Sequence, residues 1–452
     1  MPVQTMMHRL TTYPILAPLL LSTVVSFSLL HASAGQQAGP TASDAVGALR
    51  HVQLLEVTAG EAPVVRFVTA MRRGADAWGL GRIALFECPI DDVITLGDPV
   101  EIMDLPYEVL PTWTWSKRVP WRVIETESGS WLIAHDRHGW VTEIREFPSG
   151  ETLIRVGGTR SLEDVRLRGD VIEILGCAGR GVDGAWNQPA QVERIRWTIG
   201  EDTAVREKLL DMRFLANAPQ RAPVATFVSV PIGSPASNTI VIAEMRGWAP
   251  VFHVFEDGSE EARTLSPTLD HLDSSPMRVR AWEHDGVRRI VLGMPDWDNR
   301  MGRVIVMADD EGVPACMVVD LLPAEAPMEG NLLASETVSS HLKGGHSIEF
   351  VNDMDGDGIP DLALGGPQLF LSEYIEMVSS ASGKSLSISR TGAGNSRLGT
   401  SVSTSPCGRY VLAAGGNVTY PEAFSGRGDA LLIDTENPKA PMSLLVFAGS
   451  PR

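Results

Sequence analysis

Four stretches of this chain share one spacing: a glycine, a short apolar run, and a second glycine seven positions on. They are Gly169–Gly176, Gly286–Gly293, Gly358–Gly365 and Gly408–Gly415. Asn238-Thr-Ile-Val-Ile-Ala-Glu fills the same slot with Asn, another residue that tolerates positive φ. Runs this short, rich in Val and Ile and bounded by Gly, Asp, Asn and Pro, read as strands between tight turns. Each is followed by a loop and a further β-rich run, as in Gly302-Arg-Val-Ile-Val-Met and Gly428-Asp-Ala-Leu-Leu-Ile-Asp. Leu80-Gly-Arg-Ile-Ala-Leu-Phe and Pro250-Val-Phe-His-Val-Phe are earlier copies of that second element. Such units start near residues 51, 118, 162, 223, 278, 346 and 398, a mean step of about 58 residues. No long amphipathic helix pattern interrupts them. The expectation is an all-β chain folded as a single β-propeller of seven blades, since ring closure removes exposed sheet edges.

Composition agrees with a globular chain: 452 residues, 44% hydrophobic and 21% charged, with 43 Gly and 30 Pro. The formal charge of −18 repels phosphate backbones and argues against a nucleic-acid partner. At the N-terminus, His8 and Arg9 precede an apolar run from Ile15 to Leu30 and the Ala32-Ser33-Ala34 cleavage pattern. Residues 1–34 therefore read as a signal peptide, 35–49 as a flexible leader and 50–452 as the propeller. A secreted or extracytoplasmic protein with no membrane span after cleavage is expected. The four cysteines, Cys88, Cys177, Cys316 and Cys407, have no zinc-site spacing and read as buried thiols. If any bridge formed, Cys88–Cys407 would join the first and last blades.

One turn carries chemistry. Asp353-Met-Asp355-Gly-Asp357-Gly-Ile359-Pro-Asp361 places carboxylates at positions 1, 3, 5 and 9 of a short loop. Their mutual repulsion calls for a hard cation, and calcium takes six to eight oxygen ligands in flexible geometry. An EF-hand would need a Glu at position 12, where this chain has Leu364 within an apolar run. The loop therefore belongs to a β-hairpin, with Asp361 opening the outgoing strand.

From Phe350-Val-Asn-Asp353 to Gly365-Gly366-Pro367 the chain resembles the FG-GAP repeats of integrin α-subunit β-propellers and their bacterial relatives. Leu292-Gly293-Met294-Pro295 and Arg397-Leu398-Gly399-Thr400-Ser401 match other parts of that pattern, and the clear match covers residues 278–435. The resemblance implies a calcium ion held by Asp353, Asp355, Asp357, Asp361 and the Ile359 carbonyl. The corresponding turns Glu283-His-Asp285-Gly286 and Ser403-Thr-Ser-Pro-Cys407-Gly408 lack the carboxylate set, so one ion is expected.

Other motifs have simpler readings. Arg168-Gly169-Asp170 and Arg427-Gly428-Asp429 are coincidental triplets at turns, and Ser382-Gly383-Lys384-Ser385 is a hairpin turn rather than a phosphate loop. Trp113, Trp115, Trp121, Trp131 and Trp140 serve as wedges between blades or as sugar-stacking faces. His135 and His138 flank Asp136 in a polar turn with acid–base potential. No catalytic residue and no organic cofactor is assigned. The leading reading is a non-enzymatic, calcium-binding module for a protein or glycan partner. The alternatives are a hydrolase or lyase with its site on the propeller axis, and a lectin. Converging Asp, Glu, His and Arg on the axis would favour the enzyme; apolar closure would count against it.

Overall fold

The structure, a computed structural model, describes residues 51–445 apart from 59, 61–62, 73–80, 91–93, 96–97, 108–120, 137–138, 179–190, 212–222, 247–248, 257–258, 260, 268–277, 295–302, 311–312, 321–346, 367–373, 391–397, 416–428 and 440. These residues belong to one compact unit, 40–452. The expected signal peptide and leader lie outside the described residues.

The described residues form strands and no helix. Almost every sheet is a four-stranded antiparallel meander, each strand pairing with its sequence neighbour. The first runs through Val52–Thr58, Val64–Arg72, Gly81–Pro89 and Glu101–Asp104. Equivalent meanders occupy 121–157, 159–211, 347–390 and 401–445. Those at 224–265 and 278–320 fuse into one eight-stranded sheet, because Val228 and Ser229 pair in parallel with Ala281 and Trp282. The last meander gains a fifth strand, Ile94–Thr95, which pairs in parallel with Met442–Leu445 and ties it to the first.

Each meander is buried on both faces, which explains the near-continuous apolar runs in the sequence. The period of two divides every strand between two neighbours. In Val64–Arg72, Val65 and Phe67 pack against Leu412, Ala414 and Leu432 of the last meander. Val68 and Ala70 of the same strand pack against Trp121, Val123 and Leu132 of the second. The pattern continues around the chain. Ile133 and Ile144 meet Leu162 and Ile172, Cys177 and Val192 meet Phe227 and Ile242, and Val241 and Phe252 meet Ile290 and Ile305. Val291 and Val304 then meet Leu362 and Leu364, and Ala363 and Ile375 meet Val411 and Ile433. The cores close on themselves, giving a propeller-like all-β fold.

The turn glycines behave as their spacing predicts: Gly169, Gly286, Gly358 and Gly408 all have positive φ. Asn238 departs from the expectation. The positive-φ residues other than glycine among those described are Trp140 and Asp285, and Asn238 ends a longer connection, 230–239, rather than a tight turn. Gly365, a second glycine, answers to space instead. A Cβ on Gly365 would lie 2.2 Å from both the Gly399 carbonyl oxygen and the Ser347 hydroxyl. All four cysteines are free thiols; Cys88 and Cys177 are buried, whereas Cys316 and Cys407 are exposed. This corrects both the uniformly buried reading and the Cys88–Cys407 bridge. Cys88 packs in the core beside Ile94, while Cys407 sits on a turn against the Ser405 hydroxyl.

Gly365→Ala is expected to cost about 2–3 kcal/mol through overpacking against backbone that cannot yield. Gly169→Ala has open space and only a φ of 60° to overcome, so about 1–2 kcal/mol is expected. Denaturant midpoints of the two variants check this order.

Candidate functional site

The acidic loop joins Ser347–Val351 to Asp361–Gly366, the first hairpin of the meander at 347–390. Gly356 and Gly358, with φ of 82° and 87°, let the backbone curl round the Asp353 carboxylate. Its Oδ1 accepts the Gly356 and Asp357 amides at 2.6 and 3.2 Å, and its Oδ2 accepts the Gly358 amide at 2.7 Å. Asp357 Oδ1 accepts the Ile359 amide at 2.8 Å. Carboxylate oxygens of Asp353, Asp355 and Asp361 come within 4.8 Å of one another. Asp357 stands outside that group, and its carboxylate is engaged in its own turn.

Asp361 is the unusual member. It is fully buried, at 0% exposure, while Asp353 and Asp355 are exposed. Its Oδ2 accepts the Met354 amide at 2.7 Å, while its buried Oδ1 makes no well-formed hydrogen bond, although the Ser380 backbone also acts on the carboxylate. Burial, with help from Asp355 and Asp357, pushes its carboxyl up to about 7. A buried acceptor without a well-formed hydrogen bond is a liability that a bound cation removes. The donor set, hard carboxylate oxygens in a loop that bends freely, fits a calcium ion.

A second constellation lies where the first strands of the meanders converge. His51 precedes Val52–Thr58, Arg122 lies in Trp121–Thr126, and Asp164 lies in Thr159–Arg168. Arg278 and Arg280 lie in Arg278–His284, and Glu349 in Ser347–Val351. These groups act on one another electrostatically although they come from five meanders. Arg280 Nε and Nη2 donate to the two Glu349 oxygens at 3.0 and 2.7 Å, and Arg278 Nη2 reaches the same carboxylate at 3.5 Å. Burial raises the Glu349 carboxyl, but Arg280, Arg278 and Arg122 outweigh it and hold the group at about 2. Burial lowers the His51 imidazole, and Arg278 and Arg122 take it further, to about 3. The axis of the fold is therefore polar and charged.

The same first strands carry polar clasps from one meander to the next. The Gln53 amide bonds both the N–H and the C=O of Val123, at 2.8 and 2.7 Å. Thr142 meets Thr159 at 2.9 Å, and Asp164 Oδ2 accepts the Thr226 hydroxyl and the Phe227 amide at 2.8 and 3.0 Å. Ser347 donates to the Gly399 carbonyl at 2.7 Å, and the Ser401 and Ser403 hydroxyls accept the Val52 and Leu54 amides at 3.1 and 2.9 Å. Ser401 Oγ also lies 3.2 Å from His51 Nδ1. That pair has the composition of a nucleophile and its base, but an imidazole held near 3 is too weak a base to activate a hydroxyl.

No family model matches this chain, and no curated protein matches it. Solved structures similar to it include a puromycin-hydrolyzing peptidase of Mycobacterium tuberculosis, with a TM-score of 0.50 and 12% identity over 92% of this chain and 56% of that one. A second comes from a study of two prolyl endopeptidases, with a TM-score of 0.48 and 10% identity over 89% and 51%. A third is the hydrazine synthase of Kuenenia stuttgartiensis, at 0.46 and 10% over 88% and 99%. The chain spans about half the length of the two peptidase chains. At such identity the likeness speaks for the propeller-like fold alone.

The remaining sequence candidates separate. His135 is buried in Gly129–Asp136 with Nδ1 3.3 Å from the Thr142 hydroxyl, whereas His138 lies outside the described residues. Trp121 and Trp131 are buried wedges; Trp131 meets Trp197 edge-on, and Trp140 is half-buried under the Arg160 guanidinium. Trp113 and Trp115 lie outside the described residues. Gly169 forms a hairpin turn as expected, and Arg427 and Gly428 are not among the residues described. The axial residues were missed in the sequence. No local signature marks them, because the first strands carry other polar and charged residues too, as in TRSLEDVRLR over Thr159–Arg168 and RVRAWEH over Arg278–His284.

The axis sets an acid limit on stability. Glu349 titrates lower in the fold than in the unfolded chain, so its stabilisation is present above about 4.5 and lost towards 2. His51, also depressed, lets the unfolded chain bind the extra proton first, so stability falls as pH drops from about 6.5 towards 3. Glu349→Gln should lower stability at pH 7 by a few kcal/mol and flatten its fall below pH 4.5; melting temperatures across pH 3–8 check both.

Proposed function

We propose that this chain is an exported β-propeller of seven blades, of the FG-GAP kind, stabilised by one calcium ion and serving as a binding module for a macromolecular partner. The observation that carries the calcium reading is the buried Oδ1 of Asp361, which makes no well-formed hydrogen bond, on a carboxylate set close to those of Asp353 and Asp355. Three carboxylates this close repel one another by roughly 1–4 kcal/mol per pair, depending on how far solvent screens them. A divalent ion turns that repulsion into cohesion. In this reading Asp353, Asp355 and Asp361 supply the nearest oxygens, with Asp357 and the Ile359 carbonyl completing the shell. The ion's role is structural, pinning a hairpin tip whose Asp353, Asp355 and Asp357 side chains are exposed.

The binding-module reading rests on what the axis lacks. Its arginines cannot exchange protons near neutral pH, Glu349 is pinned by two of them, and Asp164 is bonded to backbone. Groups so occupied hold and orient; they do not turn over a substrate. A hydrolase acting on the axis is the second reading, supported by the convergence of Asp, Glu, His and Arg there. The glycan-stacking alternative draws no support from the described tryptophans, since the exposed large hydrophobics among the described residues are Val100, Leu153, Val205 and Ile232.

Calcium titration of EDTA-stripped protein should show saturable binding near one ion per chain and a raised melting temperature. Asp355→Ala in calcium should melt where the wild type melts in EDTA. Equal calcium stabilisation of the two proteins would remove the assignment.

A further inference from the structure

The axial charges do not balance. Arg122, Arg278 and Arg280 face two carboxylates, and both of these are already engaged. Glu349 gives its oxygens to Arg280 and Arg278. Asp164 spends Oδ1 on the Val165 amide and Oδ2 on Thr226 and Phe227. Among the described residues no carboxylate pairs with Arg122. His51 adds no charge of its own near neutral pH. Among the described residues of a protein whose formal charge is −18, the axial group thus carries more cations than carboxylates.

Unused donors lie in the same place. The Arg278 Nε–H is buried with no acceptor, and His51 Nε2 is buried with no partner. His51 Nδ1 lies 3.2 Å from the Ser401 hydroxyl, which leaves the Nε2 edge of the ring facing this enclosed space. The indole Nε1 of Trp121, whose ring meets His51 edge-on at 5.0 Å, is likewise buried and unbonded. Burial first, and then Arg280 and Arg122, bring the Arg278 guanidinium down to about 9, against the opposing pull of Glu349 and Asp164. Water would satisfy the N–H groups but not the charge. A half-buried cation whose enclosed Nε–H has no acceptor asks for an anion.

We propose that the propeller axis is an anion-binding site in which Arg122 and Arg278, beside the imidazole of His51, hold a small oxyanion group, a carboxylate or a phosphate. Planar guanidinium forks match either group with paired hydrogen bonds. The residues of the site come from the first, second and fifth meanders, so an anion bound there would act on several inner strands together. The site is independent of the calcium loop, whose groups are Asp353, Asp355 and Asp361.

The test is calorimetric titration of the calcium-loaded protein with inorganic phosphate and, separately, with acetate, both at constant ionic strength. One or both should bind saturably, and the stronger names the source chemistry. Arg122→Gln and Arg278→Gln should each weaken that binding at least tenfold while keeping the response to calcium. Arg194→Gln, on the outer edge between the third and fourth meanders, should leave it unchanged. Should a variant fail to fold by circular dichroism, wild-type crystals soaked in selenate give the answer, with an anomalous peak expected between Arg122 and Arg278. Absence of saturable binding, binding that survives both axial variants, or a selenate peak only elsewhere would overturn the site.

Discussion

The whole structure depends on one constraint: no meander here can bury its own faces. Each sheet is apolar on both sides, so every one needs two neighbours, and a finite row would leave two faces bare. The contact of Val52, Leu54 and Phe67 with Leu412 and Leu432 removes both bare faces at once. At roughly 25 cal/mol per Å² of apolar surface, an unclosed end face would cost far more than the marginal stability of a domain. Closure is thus a requirement of the sequence pattern. The parallel pairing of Ile94–Thr95 with Met442–Leu445 and the Ser401 and Ser403 bonds to Val52 and Leu54 fasten the seam.

Apolar faces fix that the meanders stack but not how they align, because hydrophobic contact is non-directional. Alignment comes from the first strands. Gln53 on Val123, Asp164 on Phe227, Arg280 on Glu349 and Ser347 on Gly399 are all directional bonds between neighbours, and all lie next to the axis. The chemistry of these clasps varies from amide to carboxylate to guanidinium while their place does not. That variety explains why the repeat is faint at the first strands and clearer at the second, where Gly365 answers to packing.

This contrast also decides what could be read from the chain. The seven-residue glycine spacing is a local property of turn and strand; of the units that carry it, those expected near 278 and 346 start within a residue of the strands at Arg278 and Ser347, while those expected near 162 and 398 start three residues away, at Thr159 and Ser401. The acidic loop was legible for the same reason, since its members lie within nine residues. The axial group was not, because residues 51, 122, 164, 278 and 349 meet only after closure. Asn238 shows the limit of spacing itself: the slot matched, but the connection before it was too long to need a left-handed turn.

The two candidate sites are opposite solutions to the same electrostatic problem. At the hairpin tip the fold gathers excess negative charge near the surface, where a hydrated cation arrives and leaves without passing through the core. On the axis it gathers, among the described residues, more cations than carboxylates on the inner strands, where desolvation is costly and a counter-ion exchanges only through the ends of the ring. A tip site of the first kind stiffens one hairpin; an axial site of the second kind acts on several meanders together, because Arg122, Arg278 and His51 belong to different ones. An anion on the axis would therefore bear on the cohesion of the ring, whereas a cation at the tip would act on one hairpin and leave the inter-meander cores and clasps as they are.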